Sequence, residues 1–459
     1  MNQHLLIKEI IINSYPNKLR IILQQFLKNN FSELIKNSFF INHIKGISLF
    51  FACLLIFLSP FVSTSINAVL VLLAVFTTFI FYFTPQRELS DTSESEPPLV
   101  FYLYIPVMLY MAIAIIAVGF SPYFIPALKG FAKMIIFLFS YIVFISNIRD
   151  IKSLKWMGIS LIISSVIVSI YGIWQFYMKV PPLALWDDPD ALTKLIRVYS
   201  TLKNPNLLAG YLIVPLALSS VFAITVKGWL KLIFIPVLYV QIACLYYTYS
   251  RGGWIGCFGL LFIFALCLLF VYKEKIKKIP YYKIIFFTVT IIGIGLIIFI
   301  FYKSPALQER LSSFLAFRGH SSNSFRLNVW TAVITMIKDY WSIGIGPGTA
   351  VFKQIYPLYM ASGFDALAAY NIFLEVMVEF GIFGIIIFLW LVLSYLKQAV
   401  KNMNLKENFV KILNAGCFAG ILGLMLHGMV DTVFYRPQVQ ILFWFLLTII
   451  VKTSRENSA

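Results

Sequence analysis

The sequence predicts an all-α integral membrane protein: a polytopic bundle of about twelve transmembrane helices with a large, partly helical outer loop. Three observations support this class. The 459 residues are 60% hydrophobic and only 12% charged, whereas soluble domains contain about 25% charged residues. The mean hydropathy is +0.86. Apolar runs of about 20 residues, the length that crosses a bilayer, follow one another along most of the chain.

The apolar runs locate the predicted spans. They lie at about 47–64, 66–84, 99–120, 130–147, 156–178, 206–226, 229–249, 252–272, 284–302, 372–396, 412–430 and 437–451. Residues 1–45 alternate apolar and basic residues around Pro16, so we expect amphipathic helices on the cytoplasmic membrane surface. The transmembrane domain then covers 46–451, with an outer loop at about 303–370 and a cytoplasmic tail at 452–459.

Basic residues predict the orientation of the bundle. Cytoplasmic loops of membrane proteins are enriched in lysine and arginine. With the N-terminus inside, the cytoplasmic segments after the first 45 residues contain Arg87, Arg149, Lys152, Lys155, Lys227, Lys231, Lys273, Lys275, Lys277, Lys278, Lys283, Lys397, Lys401, Lys406, Lys411, Lys452 and Arg455. The pattern predicts that both termini are inside. It also accounts for most of the net charge of +18 without a nucleic-acid partner.

The segment YTYSRGGWIG, residues 247–256, contains the first candidate site residue. Arg251 lies between two apolar runs, at a depth where ionisable groups are costly and often functional. Gly252 and Gly253 permit a backbone or a bulky ligand to come close. Arg251 therefore either binds an anion at the outer surface or extends to the lipid headgroups.

The outer loop supplies further cationic residues in RGHSSNSFRLNVW, namely Arg318, His320 and Arg326. An amphipathic helix in the outer interface is predicted by the helical spacing of Trp330, Ile334, Ile337 and Trp341. Its predicted N-cap is Ser322, Asn323 or Ser324. A helix N-terminus beside an arginine suits a phosphate, and the alternative is an ordinary surface helix.

The segment GIGPG, residues 344–348, follows this helix and is predicted to form a tight turn. It lacks the lysine and hydroxyl residue that complete a phosphate-binding loop of nucleotide-binding proteins. The five cysteines form no C-x-x-C pair, so neither a metal site nor a disulfide framework is indicated.

The segment AAYNIFLEVMVEFGIFG, residues 368–384, begins where the chain re-enters the membrane at Tyr370 and Asn371. Glu375 and Glu379 are four residues apart and share one helix face. Carboxylates within a span usually pair with cations. We expect Arg251 or Arg326 to be the partners, in a pairing that is either structural or catalytic.

The last cluster is HGMVDTVFYRP, in which Arg436 closes the loop. His427 and Asp431 are also four residues apart and are expected on one face. His427 is then either a base oriented by Asp431 or a structural histidine.

All these clusters fall on the predicted outer side, and Lys133 is the main charge near the middle of a span. An anionic, lipid-linked substrate fits this distribution better than an ion path through the midplane.

The order of these motifs resembles the O-antigen ligase and polymerase superfamily of bacterial envelope glycosyltransferases. The resemblance covers about residues 45–451 and rests on TLKNPNLLAGYL (201–212), YSRGGWIG, NSFRLNVW, GIGPG and AAYNIFLEVMVEFGIFG. More narrowly, the chain resembles the cyanobacterial bicarbonate-transporter branch of that superfamily. The segments that carry this narrower likeness are LALWDDPDAL, RVYSTLKNPNLLAGY, IYPLYM and HGMVDTVFYRP.

The superfamily resemblance implies a protein of the bacterial inner membrane, in contact with membrane lipids, that transfers a glycan from undecaprenyl diphosphate to an acceptor at the outer face. It implies no metal and no cofactor, and it assigns the diphosphate to Arg251 and Arg326. The narrower resemblance implies a second hypothesis, a transporter of inorganic carbon (bicarbonate) or an accessory factor. A third is a non-catalytic relative that binds lipid carriers.

The resemblance also places the base of the reaction. The family histidine lies just before the asparagine that starts the returning helix, and here that position is Tyr370, before Asn371. A tyrosine with a pKa of about 10 is a poor base at neutral pH. The alternative bases are His320, Glu375 and His427. The candidate catalytic residues are therefore Tyr370, Glu375, His427 and Asp431, and the candidate substrate-binding residues are Arg251, Arg326, Arg318, His320, Asn371, Glu379 and Arg436.

Overall fold

The regular structure of the protein is helical in every part that the structure describes. The computed structural model describes residues 38–84, 103–183, 196–281 and 321–454, with the short pieces 25–26 and 29–30 and residue 302. Among the described residues, eight helices are long and apolar enough to cross a membrane, and three shorter apolar helices accompany them. The predicted fold class, an all-α polytopic membrane protein, is confirmed.

The principal helices are labelled in chain order. They are α1 (Ile44–Leu58), α2 (Thr64–Phe83), α3 (Tyr104–Gly119), α4 (Phe124–Asn147), α5 (Ile151–Tyr177), α6 (Pro205–Thr225), α7 (Lys231–Tyr247), α8 (Arg251–Val271), α9 (Ser321–Asp339), α10 (Thr349–Ile355), α11 (Ile372–Asn402), α12 (Asn408–Gly428) and α13 (Pro437–Thr453). The end of the bundle at which α6, α8 and α11 begin and α12 ends is called the site end.

Eleven predicted spans coincide with α1–α8 and α11–α13, because long apolar runs are a strong signal. The predicted span at 284–302, most of the segment 1–45 and the loop 85–98 lie outside the described residues. The orientation of the termini remains a prediction.

Helix α6 lies at the centre of the bundle. Asn204 caps it, because its side-chain oxygen accepts from the backbone N–H groups of Asn206 and Leu207 at 2.9 and 3.1 Å. Pro205 occupies the first turn, where its missing N–H is not needed. The helix is buried along nearly its whole length and is apolar on all sides, as expected of a central span.

Glycines let α8 and α12 pack backbone to backbone. A Cβ atom on Gly256 would lie 2.8 Å from the carbonyl oxygen of Gly423. A Cβ atom on Gly423 would lie 2.9 Å from the carbonyl oxygen of Gly256. Small residues at such interfaces are a common means of helix association in membranes. The contact holds the N-terminus of α8 against the C-terminus of α12.

Helix α11 is interrupted at Gly381, whose φ of 65° and ψ of −163° are not helical. The interruption frees backbone groups, and the segment 341–346 pairs with them. The N–H of Ile382 donates to the carbonyl of Trp341 at 2.8 Å. The carbonyls of Val378 and Glu379 accept from the segment at 2.8 and 3.0 Å. Unpaired backbone groups are costly in a membrane, so this pairing stabilises the break.

The same segment corrects the prediction of a tight turn at GIGPG. Gly344, Gly346 and Gly348 have φ of 82°, 96° and 107°, and the chain runs along α11 instead of reversing tightly. A Cβ atom on Gly344 would lie 2.4 Å from the carbonyl carbon of Glu379. The glycines are therefore needed for close contact with the interrupted helix.

The amphipathic helix predicted in the outer loop is α9. Its buried side includes Val329, Val333 and Met336. Of the predicted apolar set, Ile337 is buried, whereas Ile334 and Trp341 are 47% and 59% exposed and Trp341 lies beyond the end of α9. The predicted apolar face is therefore only partly buried. The capping prediction is wrong, because residues 322–324 lie inside the helix, which extends back to Ser321.

We predict that Gly381→Ala destabilises the protein more than Gly228→Ala. Both glycines have a positive φ, +65° and +66°. The ψ of −163° places Gly381 in a backbone region that essentially only glycine occupies, at a cost of about 1–3 kcal/mol to another residue. A Cβ atom on Gly381 would lie 2.1 Å from the carbonyl oxygen of Ser342, whereas one on Gly228 meets no atom within 4 Å. Overpacking should add about 1–3 kcal/mol at Gly381.

The measurement is the thermal unfolding of both variants in the same detergent, followed by circular dichroism. Equal losses would contradict the conclusion that the segment 341–346 presses on the helix break.

Candidate functional site

The C-terminal end of α12 gathers two predicted site residues. The Nε of Arg326 on α9 donates to the carbonyl of Val430 at 2.9 Å. The Nδ2 of Asn371 donates to the carbonyl of Met429 at 2.9 Å, and its Oδ1 caps α11. Met429 and Val430 directly follow the end of α12 at Gly428. Their carbonyls fix α9 and the start of α11 at one place.

Arg251 is the first residue of α8, and the start of this helix lies beside the end of α12. Ser250 caps this helix by accepting from the N–H of Gly253 at 3.2 Å. Gly252 packs against α12, since a Cβ atom there would lie 2.6 Å from Cγ2 of Val430. The order Ser-Arg-Gly-Gly thus has a structural explanation: a cap, a cation at a helix N-terminus, and two residues that permit close packing.

Tyr370 directly precedes Asn371, the N-cap of α11, and has a φ of 51°. Burial raises its pKa, the nearby Asp431 raises it further, and the charge of Arg326 partly offsets both. The Glu375 and Arg436 charges also act on it, in opposite directions. The phenol is therefore protonated at neutral pH, so Tyr370 is a hydrogen-bond donor and a poor base.

Asp431 does not orient His427. Its Oδ2 accepts from Nδ2 of Asn206 at 2.7 Å, and the Oδ1 of Asn206 accepts from Nη2 of Arg197 at 2.9 Å. The Nε of Arg197 donates to the carbonyl of Thr248, three residues before Arg251. Arg197 and Asn206 were missed by the sequence reasoning, although both lie in RVYSTLKNPN, a segment singled out for the family resemblance.

His427 is fully buried and unsuited to be the base. A Cβ atom on Gly210 would lie 3.2 Å from its ring, and one on Gly252 would lie 2.9 Å from its Cδ2. Neither ring nitrogen has a hydrogen-bond partner in the described residues. Because α12 ends at Gly428, His427 and Asp431 do not share a helix face, and that prediction is wrong. Of the two alternatives, the structural histidine fits the position.

Glu375 and Glu379 share one face of α11, as predicted, and both are buried. Their partners are not Arg251 or Arg326. Oε1 of Glu379 accepts from the N–H of Gly348 at 2.7 Å, and Oε2 of Glu375 accepts from the N–H of Ala369. Within the described part of the chain, neither carboxylate forms an ion pair. Backbone N–H groups take the place of the expected cations.

Both carboxylates line a cavity of about 410 Å³ at the site end. This volume falls within the range of small-molecule pockets, roughly 300–1,000 Å³. One wall is α4, and others are the segments 347–350 and 367–368 and the beginning of α13. The charged lining residues are Glu375, Glu379, Lys129, Lys133 and Arg436. Of the remaining predicted residues, Arg318 and His320 lie outside the described residues.

We predict that Glu379→Ala destabilises the protein by about 1–3 kcal/mol, because the N–H of Gly348 loses its acceptor. Glu379→Gln retains a side-chain oxygen and should lose much less. Thermal unfolding in detergent distinguishes the two variants. If both lose the same stability, the negative charge matters and the hydrogen bond to Gly348 does not.

Comparison with known proteins shows that several of the site residues lie in a segment that matches a protein family. Residues 236–389 match the family model described as O-antigen ligase. An uncharacterized protein of Haemophilus influenzae is 29% identical over 192 residues, which cover 39% of this chain and 45% of that protein. The alignment thus spans less than half of the relative. The matched segment contains Arg251, Arg326, Tyr370 and Glu375 but ends before His427. The chain is a multi-pass membrane protein that is similar to O-antigen ligases over residues 236–389.

Proposed function

We propose that this protein transfers a glycan from undecaprenyl diphosphate to an acceptor at the outer face of the bacterial inner membrane. One observation carries the proposal. Arg251 and Arg326 are 75 residues apart within the segment that matches the O-antigen ligase family, and the end of α12 brings their backbones together. Arg326 bonds to the carbonyl of Val430, and Gly252, next to Arg251, packs against the side chain of Val430. Two arginines brought together in this way suit a diphosphate, which arginine binds with paired hydrogen bonds.

The position of Arg251 adds a second favourable charge. It begins α8, and the N-terminus of a helix carries a partial positive charge that favours anions. In the proposed reaction the leaving group is undecaprenyl diphosphate, on which negative charge develops. Fixed cations that face this charge lower the barrier. Arg197, which bonds to the carbonyl of Thr248 just before α8, is a third cation in this region.

Glu375 is the base that the geometry supports best. It lines the cavity, and the hydrogen bond from Ala369 leaves its other oxygen available. The oxygen of the acceptor hydroxyl forms a bond to the anomeric carbon of the glycan. The bond from that carbon to the diphosphate oxygen breaks, and its electron pair leaves with undecaprenyl diphosphate. The hydroxyl proton passes to Glu375.

The predicted orientation supports an outer-face reaction. The site end contains the beginnings of α8 and α11, whereas basic residues such as Lys231 and Lys273 lie at the opposite end of their helices. With basic residues inside, the site end faces outward. A lipid-linked glycan would meet its acceptor there.

The bicarbonate hypothesis gains no support. Neither match reported above concerns bicarbonate. A second cavity, lined by Lys45, Arg149 and Lys152 among others, shares no residue with the first and lies at the opposite end of the bundle. A transport path would instead connect cavities from both faces near the midplane.

We predict that Arg251→Ala and Arg326→Ala each weaken the binding of undecaprenyl diphosphate at least tenfold, about 1.4 kcal/mol. The measurement is a titration of purified protein in lipid nanodiscs. Lys277→Ala is the matched control, since Lys277 is an exposed cation that pairs with the exposed Glu274. The same proteins in liposomes should take up no labelled bicarbonate. Bicarbonate uptake without carrier binding would contradict the proposal.

We predict that Glu375→Gln lowers glycan transfer at least a hundredfold, since general bases contribute roughly 10²–10⁴-fold. Glutamine still accepts from Ala369 but takes up no proton. Tyr370→Phe should retain transfer within about tenfold, because the protonated phenol is not the base.

Transfer is followed with labelled lipid-linked glycan in membrane vesicles of the source bacterium, whose chromosomal copy is deleted and replaced by each variant. The reverse ranking, with Tyr370→Phe inactive and Glu375→Gln active, would assign the base to Tyr370.

A further inference from the structure

The cavity beside Glu375 has three cationic side chains with no role in the mechanism above. Lys129 and Lys133 come from α4, and Arg436 lies just before α13. Within the described part of the chain, none of the three side chains has a hydrogen-bond or ion-pair partner. The two carboxylates of the cavity are bonded to backbone N–H groups instead.

Like charges lie close together around this cavity. Lys129 and Lys133 are four residues apart on one helix face, where like charges repel. The charge of Arg436 also opposes that of Lys133. Lys133 is nine residues into α4, about 14 Å along the helix axis. Ionisable groups at such depth usually face a partner or a functional cavity.

The backbone at this position keeps the cavity close to α4. A Cβ atom on Gly130 would lie 2.1 Å from the carbonyl oxygen of Pro347. The absence of a side chain between the two lysines allows the segment 347–350 to lie against α4. The lysines, the segment and Glu379 therefore line one cavity, and both lysines are exposed at its edge.

The ligand of this space needs both negative charge and hydroxyl groups. Ammonium and guanidinium groups bind carboxylates with strong, charge-assisted hydrogen bonds. Glu375, Thr349 and Gln440, which also line the cavity, are hydrogen-bond partners for hydroxyl groups. Sugars that carry a carboxylate combine these two chemistries.

We propose that this cavity binds an acidic sugar of the transferred glycan or its acceptor, with Lys129, Lys133 and Arg436 facing the sugar carboxylate. The inference rests on the proposed function and adds the class of glycan. The location supports it: Glu375, which lines the cavity, is one helical turn after Asn371, whose Nδ2 donates to the carbonyl of Met429. The next carbonyl, of Val430, accepts from Arg326, so the cavity is next to the place assigned to the diphosphate.

The test uses the full-length protein in nanodiscs and two trisaccharides of the same linkage, one of galacturonate and one of galactose. The wild type should bind the galacturonate trisaccharide at least fivefold more tightly. Lys133→Gln and Arg436→Gln should remove this preference, whereas Lys338→Gln, which changes an exposed lysine of α9, should keep it. Lys129→Gln, nearer the helix end, serves as a second variant if Lys133→Gln lowers the unfolding temperature.

Two outcomes overturn the inference. In the first, the two trisaccharides bind equally, or the preference survives in Lys133→Gln and Arg436→Gln. In the second, these variants lose undecaprenyl diphosphate and the galacturonate trisaccharide never binds, which would assign the cations to the carrier. Failure of the proposed function is a separate result, namely unchanged carrier binding in Arg251→Ala and Arg326→Ala.

Discussion

The requirement that backbone polar groups inside a membrane be paired is the constraint on which the site end depends. Helix α11 breaks at Gly381, and the break leaves N–H and C=O groups that a continuous helix would pair internally. The segment 341–346 pairs with them. As a result of this pairing, the N–H of Gly348 donates to Glu379, and Pro347 and Gly348 pack against Gly130 of α4. The cavity and the positions of its two carboxylates follow from backbone pairing, and ion pairing has no part in it.

A second backbone feature assembles the arginine part of the site. The carbonyls of Met429 and Val430, just after α12, accept from Asn371 and Arg326, and the glycines at the start of α8 pack against the same turn. One helix terminus therefore joins α8, α9 and α11, whose site residues are up to about 120 residues apart. The cations fall into two groups, Arg251 and Arg326 near this terminus and the lysines of α4 with Arg436 at the cavity. We assign the first group to the carrier and the second to the glycan.

The incorrect predictions concern which groups the polar site residues contact. His427 and Asp431 have helical spacing, but α12 ends between them and Asp431 turns to Asn206. The glutamates were expected to pair with arginines, yet backbone N–H groups from distant loops reach them first. Spacing along a helix predicts neighbours on that helix. The spacing does not show which loop will contact the helix. It also does not show where a helix ends when residues from another segment bond to its end.

The sequence by itself determined that this chain crosses the membrane many times, because the length and hydrophobicity of each span are local properties. It also determined which polar residues were unusual enough to be site candidates, since charge in an apolar run is costly at any position. Only the tertiary structure decided how these residues combine: that His427 is enclosed between glycines, that Asn206 and Arg197 extend the site, and that Lys129, Lys133 and Arg436 line one cavity. These outcomes depend on contacts between helices far apart in the chain, which close packing of backbones fixes and no local pattern encodes.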